Sequence, residues 1–163
     1  MFRIREGETY RNYPGFLLMI ALFSLINVIL IAVRINSSFY GGAFIPMIAM
    51  FYAKYYLTGI FRTVAFAGLV CFFILVLAGC WWGARNNYRW LSRGMLIYLL
   101  DTVFMMYYIF VTGFKPLWLM DIAFHLILLA ILWRGVYIGR AEEKQAIPQA
   151  EPAEEVPADA DEK

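Results

Sequence analysis

Asp101, Asp121 and His125 are the residues of this chain whose type and position invite chemistry. All three sit inside long apolar runs, and His125 is the only histidine. The other ten acids keep to the ends: Glu6 and Glu8 lie in the N-terminal arm, and eight lie beyond residue 140. An ionised side chain in hydrocarbon costs roughly 2.5–3.5 kcal/mol on insertion scales and normally faces other protein or a water-filled cavity. Asp121 and His125 are four residues apart, hence on one helix face, where a carboxylate–imidazole hydrogen bond would fix the tautomer. At a rise of about 1.5 Å per residue, Asn27, Tyr107, Tyr108, Asp121 and His125 fall in one layer about 6–12 Å from one membrane surface, with Asp101 about 8 Å deeper than His125. These six residues form the candidate intramembrane polar site. Such a site either moves protons or binds a ligand, or it holds helices together by hydrogen bonds in the absence of water.

Other chemistries find little support. An intramembrane aspartyl protease needs two carboxylates close enough to share a proton. Asp101 and Asp121 are about 14 Å apart in depth at that rise, and no Gly-x-Gly-Asp motif is present. Ser24 is the only mid-span serine and has no nucleophile-elbow motif around it. Cys71 and Cys80, nine residues apart, project from nearly opposite helix faces. With one histidine and no Cys-x-x-Cys, the residues disfavour zinc, haem and dithiol redox chemistry. Neither a metal nor a cofactor is expected, and no enzymatic activity.

The elements that must position these residues are transmembrane. The chain is 63% apolar and 16% charged, against about 45–50% and 25% in soluble domains. Apolar runs cover 15–33, 63–84, 94–114 and 117–138, each near the roughly 20 residues that cross a bilayer. A shorter run, 43–58, contains Pro46, Lys54 and several tyrosines and suits a helix lying in or dipping into the interface. The expected fold is therefore an all-α integral membrane protein, a four-helix transmembrane bundle with an additional short interfacial or re-entrant helix. Residues 1–14 form a basic arm, 15–140 the transmembrane domain and 141–163 a disordered acidic tail. The tail carries eight acids against two lysines, with Pro148, Pro152 and Pro157, too little apolar surface to fold by itself. The first run is longer than a signal-peptide core and lacks a small-x-small cleavage site, so it reads as an uncleaved span.

Charge orients the bundle. Leaving aside Lys163 at the far end of the tail, four spans divide the Lys/Arg residues nine to four in favour of the side holding both termini, whereas five spans divide them six to seven. The positive-inside rule then places both termini in the cytoplasm, and the short loops suit a bacterial inner membrane. The loop 85–93, with Arg85, Arg89, Arg93 and Trp90, reads as an orientation signal touching anionic headgroups rather than nucleic acid. Gly79 with Gly83, and Gly135 with Gly139, have the spacing that lets helices approach closely. With neither catalytic motifs nor internal repeats, the leading reading is a non-enzymatic accessory or scaffold subunit. It would sit in the lipid bilayer beside another membrane protein or a second copy of itself. The alternative is a small transporter or proton-linked carrier using Asp101, Asp121 and His125.

Overall fold

A computed structural model describes residues 7–33, 42–56, 59–116 and 118–146. After a 3-10 turn at Tyr10–Asn12 come five helices: α1 (Pro14–Ala32), α2 (Phe44–Tyr56), α3 (Ile60–Ala84), α4 (Tyr88–Thr112) and α5 (Trp118–Ala146). Local signals set the ends. Pro14 opens α1 where its missing N–H costs nothing. The Asn87 side chain caps α4 by accepting from the Arg89 N–H. Gly113 stops α4 at φ 91°, a backbone conformation that side-chain-bearing residues rarely adopt.

Helices α1, α3, α4 and α5 are long and apolar enough to span a bilayer. The 13-residue α2 is about 20 Å long, short of the roughly 30 Å hydrocarbon thickness. Burial shows which solvent these helices meet. In α4, Leu91, Gly94, Met95, Tyr98, Asp101, Thr102, Met105 and Ile109 form one buried stripe at helical spacing. The opposite face carries exposed Leu96, Leu99, Leu100, Val103 and Phe110. A helix apolar all round, with its polar residues turned inward, is built for lipid. The chain is a multi-pass α-helical membrane protein.

Helices α4 and α5 form a tight antiparallel hairpin whose register is centred on Gly113. Asp101 meets His125 and Tyr108 meets Trp118, each pair equidistant in sequence from that glycine. The expected depth gap between Asp101 and His125 is therefore absent. That gap assumed that both helices reach the same level. Instead α4 extends eleven residues beyond Asp101, while α5 begins only seven residues before His125.

The interfacial expectation for 43–58 also changes at its start. Ala43, Phe44 and Ala49 are buried, and α2 packs on α1, α3 and α4. Gly42 approaches α1 so closely that a Cβ there would lie 3.1 Å from the Phe23 and Ser24 backbone. That contact sits about 9–15 Å back from the end of α1 by helical rise, so α2 begins inside the bundle.

The 3-10 turn before α1 and the end of α5 lie at one end of the bundle. Arg134 donates two hydrogen bonds to Glu8, at 2.7 and 2.8 Å, and Tyr13 donates a further one to Glu8. The Tyr10 N–H donates to Glu142, while Tyr88 and Arg89 both donate to Glu143, at 2.6 and 2.7 Å. Helix α5 thus continues to Ala146, past the expected tail boundary at 141, because Glu142 and Glu143 have partners on the facing elements. The rest of the expected tail, 147–163, and the connection 34–41 with Arg34 lie outside the described residues, as do the side chains of Lys54 and Arg62.

The glycine pairs pack within the chain. A Cβ on Gly135 would come within 2.6 Å of the Tyr13 ring, and one on Gly139 within 2.5 Å of Tyr88, whereas Gly79 faces open space. Gly135→Ala should therefore destabilise the detergent-solubilised protein by about 1–3 kcal/mol, the usual cost of overpacking. Gly79→Ala should leave the unfolding midpoint unchanged or slightly raised. Equal effects in a thermal or denaturant melt would contradict this packing.

Candidate functional site

A helix that begins inside the bundle creates a local problem, and its solution is the site. The first turn of any helix leaves four backbone N–H groups without intrahelical acceptors. Inside hydrocarbon, with no water to take them, each unsatisfied group costs several kcal/mol. For α2 these positions are Ala43, Phe44, Ile45 and Pro46. Ala43 donates to the Ser24 hydroxyl on α1 at 2.7 Å. Phe44 and Ile45 donate to the two carboxylate oxygens of Asp101 on α4, both at 2.7 Å. Pro46 has no N–H. All four positions are accounted for, and the negative charge of Asp101 faces the positive end of the helix dipole. The Ser24 hydroxyl in turn donates a hydrogen bond to the Ile20 carbonyl at 2.6 Å.

Behind Asp101 stands His125. Its Nδ1 lies 2.8 Å from the backbone carbonyl of Asp121; a carbonyl only accepts, so Nδ1 carries a proton and donates it. One ring face stacks on Tyr98, with centroids 5.0 Å apart and planes within 10°. Nε2 lies 3.5 Å from Asp101 Oδ2, with both side chains all but inaccessible. That separation is within charge-pair reach but long for a hydrogen bond, and Nε2 is a buried polar atom with no hydrogen-bond partner among the described residues. Since Nδ1 is already protonated, Nε2 holds either a lone pair or a second proton. A lone pair would oppose the carboxylate oxygen; a proton between the two would draw them together.

The six sequence candidates divide. Asp101 and His125 come together at the site. Asp121 contributes its backbone carbonyl rather than the expected carboxylate, because the histidine side chain leans back toward the helix N-terminus and meets the i−4 carbonyl. Asn27 is buried on the Ser24 face of α1, where its amide nitrogen lies against Gly42. Tyr108 belongs to an apolar layer with Phe44 and Trp118, at ring distances of 5.3 and 6.2 Å. Tyr107 is 65% exposed on the opposite face of α4 and lies outside the site. Two participants were not among the candidates. Tyr98 is three residues before Asp101 on the same buried stripe, a spacing that the sequence does display. Ser24 precedes Asn27 by three on α1, yet its partner, the Ala43 N–H, is nineteen residues away and gives no local signal.

Among the described residues, no three His, Cys, Asp or Glu side chains are grouped to hold a metal ion. The chain matches no protein-family model, no curated protein and no solved structure.

A double-mutant cycle tests the pairing. Asp101→Asn and His125→Gln should be non-additive by about 0.5–3 kcal/mol, as residues in contact usually are. Asp121→Asn and His125→Gln should add to within about 0.5 kcal/mol, because the Asp121 carbonyl survives that substitution. Unfolding of the four variants in each cycle provides the measurement, and strong coupling to Asp121 with none to Asp101 would refute the geometry. Separately, Ser24→Ala strands the Ala43 N–H and should cost about 1–3 kcal/mol.

Proposed function

We propose that this protein is a small proton-linked carrier in which α2 is the moving element and Asp101 with His125 binds the proton. The observation that carries the reading is the orphaned Nε2 of His125, buried beside a carboxylate that already clamps the N-terminus of a helix ending inside the bundle. Asp101 holds α2 through two hydrogen bonds and a charge facing the helix dipole. Protonation of Asp101 removes the charge and turns one acceptor oxygen into a donor, so the grip on α2 weakens. Proton transfer to His125 restores it. Proton position and helix position are therefore coupled through a single side chain, which is the differential interaction a conformational switch requires. Irregular backbone ending at a polar site in mid-bundle is how many secondary carriers form their binding sites.

The accessory-subunit reading needs no such site. Ser24 is committed as donor to Ile20 and acceptor for Ala43, so its hydroxyl is a structural contact. The excess of Lys/Arg at the end where α1 begins and α5 ends supports a cytoplasmic position for that end. Reporter fusions to the N-terminus and after Ala146 should both report the cytoplasm, and an external signal from either would reverse the orientation.

Transport is tested in proteoliposomes holding a pH-sensitive dye, under an imposed membrane potential, against a panel of small organic acids, amines and sugars. At least one solute should elicit proton entry above that of protein-free vesicles. His125→Gln should abolish the flux while keeping the fold, since the Asp101 clamp on α2 remains. Vesicles that stay as tight as empty ones across the panel would return the protein to the accessory class.

A further inference from the structure

The end of the bundle at which α1 begins contains a cavity of about 420 Å³ lined by Arg11, Trp82, Arg85 and Asn86. Its position follows from the fold: Arg11 comes from the 3-10 turn before α1, Trp82 from the last turn of α3, and Arg85 and Asn86 from the tight turn into α4. Charge bookkeeping separates these arginines from their neighbours. Arg134 is held by Glu8 at 2.7 Å and Arg89 by Glu143 at 2.7 Å, and Glu142 accepts from the Tyr10 backbone. The described carboxylates at this end are thus engaged elsewhere, and among the described residues neither Arg11 nor Arg85 has an acid within ion-pair distance. Arg85 instead lies over the rings of Trp81 and Trp82, 5.6 and 5.7 Å from their centroids, an arrangement that steadies the guanidinium and leaves its N–H edge available.

We propose that this cavity binds the phosphate group of an anionic phospholipid. Two guanidinium groups supply the forked donors that match phosphate oxygens, and Asn86 adds a neutral donor. Paired tryptophans are the residues that settle at headgroup depth, so the cavity opens where lipid phosphates lie rather than in bulk solvent. Its volume is within the usual range for a site holding a small ligand. The loop 85–93 is then more than an orientation signal: Arg85 recognises lipid, whereas Arg89 belongs to the contact between α4 and α5.

Native mass spectrometry of the full chain, released from mild detergent and titrated with phosphatidylglycerol, cardiolipin or phosphatidylcholine, tests the assignment. The anionic lipids should form a discrete one-lipid adduct in preference to phosphatidylcholine. Each of Arg11→Gln and Arg85→Gln should weaken it roughly fivefold, and the pair about twenty-five-fold, corresponding to about 1 kcal/mol per basic residue. Arg89→Gln should leave it unchanged. Arg11→Lys with Arg85→Lys keeps the charge and should retain more binding than the glutamine pair, which separates recognition from a folding defect. Equal loss with Arg89→Gln, or equal binding of phosphatidylcholine, would overturn the proposal. Displacement of the bound lipid by millimolar inorganic phosphate or glycerol phosphate would overturn the lipid source in favour of a soluble phosphate ligand.

Discussion

The carboxylate of Asp101 receiving the Phe44 and Ile45 N–H groups is the contact around which the bundle is arranged. A helix that starts in mid-membrane is tolerated only if its exposed backbone donors are met by protein. Meeting them requires α1 and α4 to approach the start of α2 from two sides, one with Ser24 and the other with Asp101. Gly42 allows the approach, since a side chain there would strike the α1 backbone. Phe44 then anchors the first turn in an aromatic layer with Phe104, Tyr108 and Trp118. Removing the side chain would leave two donors stranded, so the placement of α2 depends on an acceptor at position 101.

Much of this architecture was legible in the sequence, because hydrocarbon imposes simple rules. Span number follows from run length, and the even count follows from the distribution of arginines. The shortness of 43–58 already marked α2 as something other than a span. What the sequence did not display was partnership across distance. The acceptors for the first turn of α2 lie 19 and 57 residues away from their donors, and no spacing rule links them. Helix register was equally hidden: apolar run ends gave Asp101 and His125 different depths, whereas the hairpin centred on Gly113 makes them neighbours. The i, i+4 rule placed Asp121 and His125 on one face correctly, but the backbone carbonyl one turn back was the nearer acceptor.

The tail boundary shows the same limit. Composition marked everything after residue 140 as acidic and unable to fold by itself, which holds for an isolated segment. Glu142 and Glu143 are not isolated, since α5 delivers them to Tyr10, Tyr88 and Arg89. These contacts tie the N-terminal turn to the last helix and, with the Glu8–Arg134 pair, consume the acids that would otherwise neutralise Arg11 and Arg85. Among the described residues, the same arrangement that closes this end of the bundle therefore leaves the cavity of Arg11 and Arg85 without a neighbouring acid.

The remaining question is why the cap on α2 should carry a charge at all. Serine, asparagine and aspartate cap helices about equally well in water, while an ionised aspartate in a membrane carries a penalty of roughly 2.5–3.5 kcal/mol. This chain shows that a neutral cap works in the same place: the Ser24 hydroxyl satisfies the Ala43 N–H without any charge. A second hydroxyl or amide would have served Phe44 and Ile45. Asp101 is instead set 3.5 Å from a histidine whose Nδ1 is engaged and whose Nε2 is free of any hydrogen-bond partner. Hydrogen-bonding glue does not require that combination, because glue improves as each polar atom is satisfied. A site that must accept and release a proton does require it: one group has to hold the helix in one protonation state and let it go in the other. On the carrier reading proposed above, the unpartnered nitrogen is the place to which that proton moves.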